Sequence, residues 1–406
     1  MLVYWQKRSE GGVGLIVRPL RMDEIIQAEY NRCICFKMNV DFEARRREIA
    51  EGRDSVEGRW GAFDEDGTLL SYVMNNPFIV YFDGHAVPCG GIGSVTTLPE
   101  HRNRGGIRAI MEHILRSGRE NGEVFSILHP FSAEFYRKFG YECADGCYSH
   151  TLPVRELAGW RHTGWTRRLR MGDEPDLSEL GRLTDRFARR YNLCLTRDDP
   201  FLRRRRFKPS DEQALNQHRF AYLLGDDEGA KAYLLYTAAE DRMLAVQDVA
   251  YDGAEGLRML LGFLSRMSAD YQSVALCLPE DAYLPALVPN PASVRTVRSN
   301  GLMARVVHVE KALALAKKPE GLRVVVEVLD DALPENSGRY LVTDEGVSRT
   351  DEQPDLTADV RVFTQIILGY ISLDTALLRR DLTLHKNRGQ LERFFVRKPI
   401  FCWEAF

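Results

Sequence analysis

The stretch 94–115 constrains this chain more than any other. Residues 94–98, Ser-Val-Thr-Thr-Leu, have the β-branched composition of a strand. They run into Pro99-Glu100-His101-Arg102-Asn103-Arg104-Gly105-Gly106. Ile107, Ile110, Met111, Ile114 and Leu115 then recur at i, i+3, i+4, i+7 and i+8, one apolar face of a helix. Glycines between a strand and a helix let several backbone N–H groups converge. The helix N-terminus adds the positive end of its dipole, and the two together suit a pyrophosphate. Arg102, Arg104 and Arg108 bring full positive charge to the same place, and each can fork two phosphate oxygens. The spacing is not Gly-x-Gly-x-x-Gly, and no Walker A Gly-Lys-Ser/Thr is present.

The flanking pattern predicts a mixed domain. Residues 18–50 read as two helical stretches. Strands follow at 60–63, 69–74, 78–82 and 85–88, with Asp66-Gly67 and Asp83-Gly84 as turns. Another strand is expected at 124–128. Ser132 is placed to cap a short helix over 133–139, and Gly140 to stop it. Residues 155–300 repeat the order hairpin (220–224 and 231–237), strand (243–249), loop, helix (Leu257, Leu260, Leu261, Leu264), strand (274–278). This reads as a degenerate duplication. Its loop, Asp252-Gly253-Ala254-Glu255-Gly256, carries two carboxylates that would repel a pyrophosphate. A third unit starts near 302, with strands at 303–309, 322–329 and 339–342. Thr357 or Asp359 is expected to cap a helix bearing Val360, Phe363, Ile367 and Tyr370, and a second helix is expected at 375–380. The chain ends on the apolar, aromatic Ile400-Phe401-Cys402-Trp403-Glu404-Ala405-Phe406. At 406 residues, two or three domains are expected.

Charge and cysteine usage narrow the function. A net charge of −3 gives no basic footprint for nucleic acid. The run Arg203-Arg204-Arg205-Arg206 is too short for one and reads as a solvated face or a subunit ion-pair site. The eight cysteines are too sparse for a disulfide scaffold. Cys33-x-Cys35 and Cys143-x3-Cys147 lack a second ligand pair, so no metal is expected and reduced thiols in a cytoplasmic protein are. No apolar run approaches the roughly 20 residues of a membrane span, and no secretory signal is expected at the N-terminus.

The segment 95–107, Val-Thr-Thr-Leu-Pro-Glu-His-Arg-Asn-Arg-Gly-Gly-Ile, resembles motif A of the GNAT acetyltransferases, Arg/Gln-x-x-Gly-x-Gly/Ala. Ile107 stands where the general family has Gly or Ala. That departure, with Arg108, is similar to the Eis (enhanced intracellular survival) branch, as is Phe135-Tyr136-Arg137-Lys138-Phe139-Gly140-Tyr141. The resemblance covers the whole chain. It implies an α/β (α+β) fold of two tandem GNAT-like domains followed by a sterol-carrier-protein-like domain, with boundaries expected at 1–153, 154–300 and 301–406. It also implies acetyl-CoA as cosubstrate, a cationic small-molecule amine of aminoglycoside or polyamine type as acceptor, and a homohexamer.

Acetyl transfer to an amine requires an unprotonated amine, a donor to the developing oxyanion and a proton for the leaving thiolate. By resemblance, Val95, Thr96 and Thr97 supply the backbone contact to the thioester, and Arg102, Asn103, Arg104, Gly105, Gly106, Ile107 and Arg108 hold the cofactor. Tyr136 aligns with the family's general acid, and the C-terminal carboxylate of Phe406 with its base. A free α-carboxylate has a pKa near 3.5, so burial or a relaying water is needed for that role. His129 is the alternative base. Glu404 could attract a cationic amine or be a surface carboxylate. Asp23 and Glu24 could line the mouth or serve a helix dipole. Two further readings stay open: a non-catalytic CoA or lipid carrier, and a nucleic-acid-associated protein using the arginine run.

Overall fold

The computed structural model describes residues 5–8, 14–170, 174–197, 211–239, 241–298, 301–404 and 406. The chain begins with β1 (Trp5–Arg8), β2 (Gly14–Pro19), α1 (Ile25–Phe36), α2 (Phe42–Ala50), β3 (Arg59–Phe63), β4 (Leu69–Phe82) and β5 (His85–Thr97). Then come α3 (Gly106–Glu120), β6 (Phe125–Leu128), α4 (Ala133–Arg137) and β7 (Glu142–Cys143). The next stretch holds β8 (Cys147–Pro153), β9 (Trp165–Leu169), α5 (Glu174–Ala188), α6 (Asp211–Asn216), β10 (Arg219–Asp226), β11 (Gly229–Ala239), β12 (Met243–Tyr251), α7 (Gly253–Ser265), β13 (Ser273–Pro279) and β14 (Arg295–Arg298). The last holds β15 (Met303–Val306), α8 (Val309–Leu315), β16 (Arg323–Leu329), β17 (Gly338–Thr343), β18 (Val347–Arg349), β19 (Leu356–Asp359), α9 (Val360–Ile367), α10 (Leu373–Leu377), β20 (Leu382–Leu384) and α11 (Arg388–Phe394).

These strands form three mixed sheets, ordered β1-β2-β3-β4-β5-β6-β15-β7, β14-β8-β13-β12-β11-β10-β9 and β18-β17-β16-β19-β20. The first two repeat one plan. An antiparallel meander leads to a single parallel pair, β5 with β6 and β12 with β13. A helix bridges each pair, α3 or α7. The buried Ile110, Met111, Ile114 and Leu115 face the first sheet as the apolar period predicts.

The sheets exchange strands across the expected boundaries. β15, expected in the third unit, pairs antiparallel with β6 in the first sheet. β8 fills the matching place beside β13 in the second. Each of these two sheets is thus completed by the segment that follows the other unit. Two further corrections concern the meander. The expected strands 69–74 and 78–82 are one strand, β4, and 85–88 and 94–98 merge into β5. Pro77 is tolerated within β4 because β3 pairs only as far as Met74, leaving Pro77 on a locally free edge where no amide is needed.

One cysteine pair is placed to bridge: Cys147 and Cys277 lie on neighbouring antiparallel strands with Cα atoms 6.3 Å apart, within disulfide reach. They are 130 residues apart in sequence, a separation that spacing cannot reveal. The Arg203–Arg206 run lies outside the described residues. Among the described residues no helix is long and apolar enough to cross a membrane, and no group of three or more His, Cys, Asp or Glu is placed to hold a metal ion.

Candidate active site

The glycine loop forms the open mouth of α3. Asn103 and Gly105 adopt positive φ, 62° and 79°, and Gly105 is the N-cap of α3 with no side chain capping it. The first amides of α3 are therefore left for an anion. A Cβ built on Gly105 meets nothing within 4 Å, whereas one on Gly106 would lie 2.4 Å from Ser71 Oγ. Gly106 seats the helix on β4, and Gly105 leaves the space in front of the loop clear. Arg102, Asn103, Arg104 and Arg108 are exposed. Among the described residues none of the three arginines has an ionic partner. The predicted strand residues are fastened behind the loop. Thr97 Oγ1 lies 2.7 Å from Ser71 Oγ, Thr96 is buried, and Val95 and Ile107 pack on the core.

A bulge opens β5 just before this loop. Its register against β4 shifts between the pairs Tyr72↔Thr96 and Met74↔Gly93, and Ser94 takes φ 50°. Pairing with β6 runs only from Cys89↔Phe125 to Ile92↔Leu128. Past Ile92 the two strands part, and Gly93 lies at the notch. The chain end comes to this notch. A Cβ on Gly93 would be 3.3 Å from the carboxyl carbon and an oxygen of Phe406, so a side chain there would crowd the terminus. The Phe406 ring is edge-on to Phe78, centroids 5.0 Å apart, and lies 5.1 Å from the His129 ring.

The structure therefore brings Phe406, Gly93 and His129 together across more than 270 residues of sequence. His129 Nδ1 is 2.6 Å from the Gly301 carbonyl oxygen and Nε2 is 2.9 Å from that of Glu404. Both ring nitrogens face carbonyls, and a neutral imidazole donates from only one of its nitrogens. Either tautomer donates to one of the two carbonyls, so the ring is already engaged with the segments at 301 and 404. His129 holds the tail.

Tyr136 sits on α4, which starts as expected with Ser132 Oγ accepting from the Phe135 amide. Its side chain is 2% exposed and packs edge-on against Phe131 and Phe135, centroids 5.3 and 5.1 Å away. Burial pushes its phenol well above the ordinary tyrosine range, which keeps the proton on the oxygen.

Two readings are corrected. Glu404 is neither a surface carboxylate nor free for a substrate. It is 5% exposed and held by Arg197, whose Nε and Nη2 lie 3.0 and 2.8 Å from Oε1. Glu24 accepts from Arg18 at 2.6 and 2.7 Å and from the Arg21 amide, so it closes a helix start and does not line the mouth as a free charge. Sequence reasoning missed Gly93, Phe78, Arg197 and Asp248. Only Gly93 had a visible signal, as the last glycine of Gly90-Gly91-Ile92-Gly93.

In the second sheet Gly253 opens α7 with φ 60°, but Asp252 and Glu255 flank it. Asp252 pairs with Arg186 at 2.8 Å, and Glu255 lies 3.8 Å from Lys231.

Comparison with known proteins gives three matches to families. Residues 16–144 and 193–306 match two acetyltransferase (GNAT) domain families, and 309–403 match a sterol carrier protein domain family. An N-acetyltransferase of Streptomyces griseus is 25% identical over 338 residues, 76% of this chain and 79% of its own. The crystal structure of a probable N-acyltransferase from Enterococcus faecalis V583 aligns with a TM-score of 0.82 at 24% identity, covering 97% of this chain and 100% of its own. Eis1 from Mycobacterium abscessus aligns with a TM-score of 0.80 at 22% identity and the same coverage.

Proposed function

Because this chain is a GNAT N-acetyltransferase, with two GNAT domains and a sterol carrier protein domain in the fold of Eis1, we propose that its first domain transfers acetyl from acetyl-CoA to a primary amine of a cationic small molecule of aminoglycoside or polyamine type. The observation that carries this reading is the Phe406 carboxyl group at the Gly93 notch. It puts an anion beside the strand whose backbone faces the reacting group in this fold.

The loop fits the cosubstrate: no side chain caps its N-terminus, the space before Gly105 is clear, and the three exposed arginines have no ionic partner among the described residues. Acetyl-CoA supplies the acetyl group as a thioester when bound. Arg102, Arg104 and Arg108, with the amides of 103–107, hold its pyrophosphate. The Val95 backbone polarises the acyl carbonyl. Tyr136 gives its phenolic proton to the departing sulfur. The Phe406 carboxylate orients the ammonium group and takes its proton, directly or through one water. Glu404 and Glu24 are already paired, and of the remaining candidates Asp23 and the chain terminus it is the terminus that stands at the notch, so it is the carboxylate proposed to meet the acceptor. The carrier alternative is less well supported. The face of the third sheet is filled by the fully buried Val326, Val328, Phe363 and Ile366, so lipid has no ready-made space there.

The test is an amine panel with acetyl-CoA, following free CoA thiol. Turnover with polyamines or aminoglycosides and none with hydroxyl analogues is expected. Thiol release that is independent of any amine would overturn the proposal. By the same likeness the assembly is proposed to be a hexamer, which light scattering checks.

A further inference from the structure

The route of the chain end suggests a use for the second GNAT domain. Ile400 bridges to Asn192, whose amide donates to the Pro399 carbonyl at 3.0 Å. Phe401 is buried against Phe187 and Tyr191, and Trp403 stacks on Phe187 with centroids 4.8 Å apart. The Arg197 guanidinium lies 3.6 Å from the Trp403 ring centroid. It reaches Glu404 on one side and Asp248 on the other, with Nη1 2.7 Å from Asp248 Oδ2 and Nη2 3.1 Å from Oδ1. All three charged side chains are buried.

Asp248 has a definite place in the duplicated plan. β12 is bulged against β11 between Leu235↔Asp248 and Tyr236↔Val246, as β5 is bulged against β4. The parallel pairing ends at Ala245 in the second sheet and at Ile92 in the first. Counting on from those residues, Val246 matches Gly93 and Asp248 matches Val95. The position that faces the acyl group in the first domain thus carries a carboxylate in the second. That carboxylate is neutralised by Arg197, which in turn grips the tail.

We propose that the second domain's degenerate cofactor cleft is a socket for the C-terminal tail, and that Arg197 is a positioning residue that sets where the Phe406 carboxylate stands in the first domain. The inference rests on the terminal carboxylate acting there. Glu404 is held by Arg197 through its side chain, and its carbonyl oxygen lies 2.9 Å from His129 Nε2. Only two residues separate it from the terminus, a reach of about 7 Å. Releasing Glu404 frees a longer stretch, and the local concentration of the carboxylate at the notch falls.

The experiment compares wild type, Glu404→Gln, the charge-neutral set Arg197→Met/Asp248→Asn/Glu404→Gln, and a chain lacking Phe406. It reads kcat, acetyl-CoA affinity by calorimetry, and the rate at which carboxypeptidase removes Phe406. Glu404→Gln keeps the shape of the side chain and guards against misfolding of the larger set. The socket predicts kcat losses of about 10- to 100-fold in the neutral set, with a smaller loss in Glu404→Gln. Acetyl-CoA affinity should stay within about threefold, and Phe406 should be released faster. A wild-type kcat in both variants while the Phe406 deletion is inactive would overturn the socket and leave the base assignment standing. Loss of kcat only in step with acetyl-CoA affinity would also overturn it. A fully active Phe406 deletion would remove both.

Discussion

At the scale of single residues, burial decides which groups keep a proton. Tyr136 needs its proton at working pH if it is to donate to sulfur, which an ordinary phenol already holds; burial raises its pKa further, which guards the proton but makes the phenol a weaker donor until bound substrate changes its surroundings. Tyr136→Phe keeps the ring and removes the proton. It should lower kcat by about 100-fold or more with little change in acetyl-CoA affinity, and an unchanged kcat at every pH would exclude the acid role. Glu123 is a second case, outside the chemistry. Gly90 and Gly118 make room for it, since a Cβ on either would meet its Oε2 at 2.7 and 2.4 Å. Burial outweighs the Asn75 hydrogen bond and raises its pKa from 4.5 to about 7. The folded chain therefore binds more protons than the unfolded chain between those values. Stability falls as pH rises through that window and levels off above it. The penalty at pH 8 is at most about 3 kcal/mol. Glu123→Gln should raise the melting temperature at pH 8 far more than at pH 4.5. Equal shifts at both pH values would show that the carboxyl is not held protonated.

At the scale of elements, the strand–loop–helix unit was legible because its signals are local. The glycines, the arginines and the 3.6-residue apolar period of 107–115 all lie within one short stretch. Ser132 as a cap was legible for the same reason, and Asp359 as one of two candidates beside Thr357. The rest depended on contacts remote in sequence. β15 adds to β6 from about 175 residues away, and Cys147 finds Cys277. Neither strand pattern names its partner, so the exchange between sheets leaves no mark in a single sequence. Likewise Glu404 looked like a surface charge because its partner, Arg197, lies in another domain. Two predictions belong here. Gly105→Val places a β-branched residue at φ 79°, straining the loop by about 1–3 kcal/mol, and aims its side chain into the cleared space. Calorimetry should find acetyl-CoA binding lost while the cooperative melt survives. Wild-type affinity would remove the phosphate cradle. The carboxylates at the second loop predict one CoA bound per wild-type chain, and two per chain would contradict that reading.

At the scale of the whole molecule, the three domains converge on one short tail. The third domain delivers it, with Lys398 bonded to Asp83 of the first domain at 2.7 Å and Arg397 to Glu280 of the second at 2.7 Å. The second domain grips Trp403 and Glu404 through Phe187 and Arg197. The first receives Phe406 at a notch that a bulge and a glycine keep open. The fully buried Arg305–Asp330 pair, which also bonds the Phe139 carbonyl, ties β15 of the first sheet to the third domain. Such a pair adds little net stability for its desolvation cost but is strongly destabilising to break, so it holds the domains in register. On this account chain length is itself a catalytic variable. The most direct measurement is kcat, beside acetyl-CoA affinity, for a chain lacking Phe406 and for one extended by a few residues at its C-terminus. The account predicts that both lose about 100-fold or more in kcat while acetyl-CoA affinity stays within about threefold. Wild-type kcat in both would contradict it.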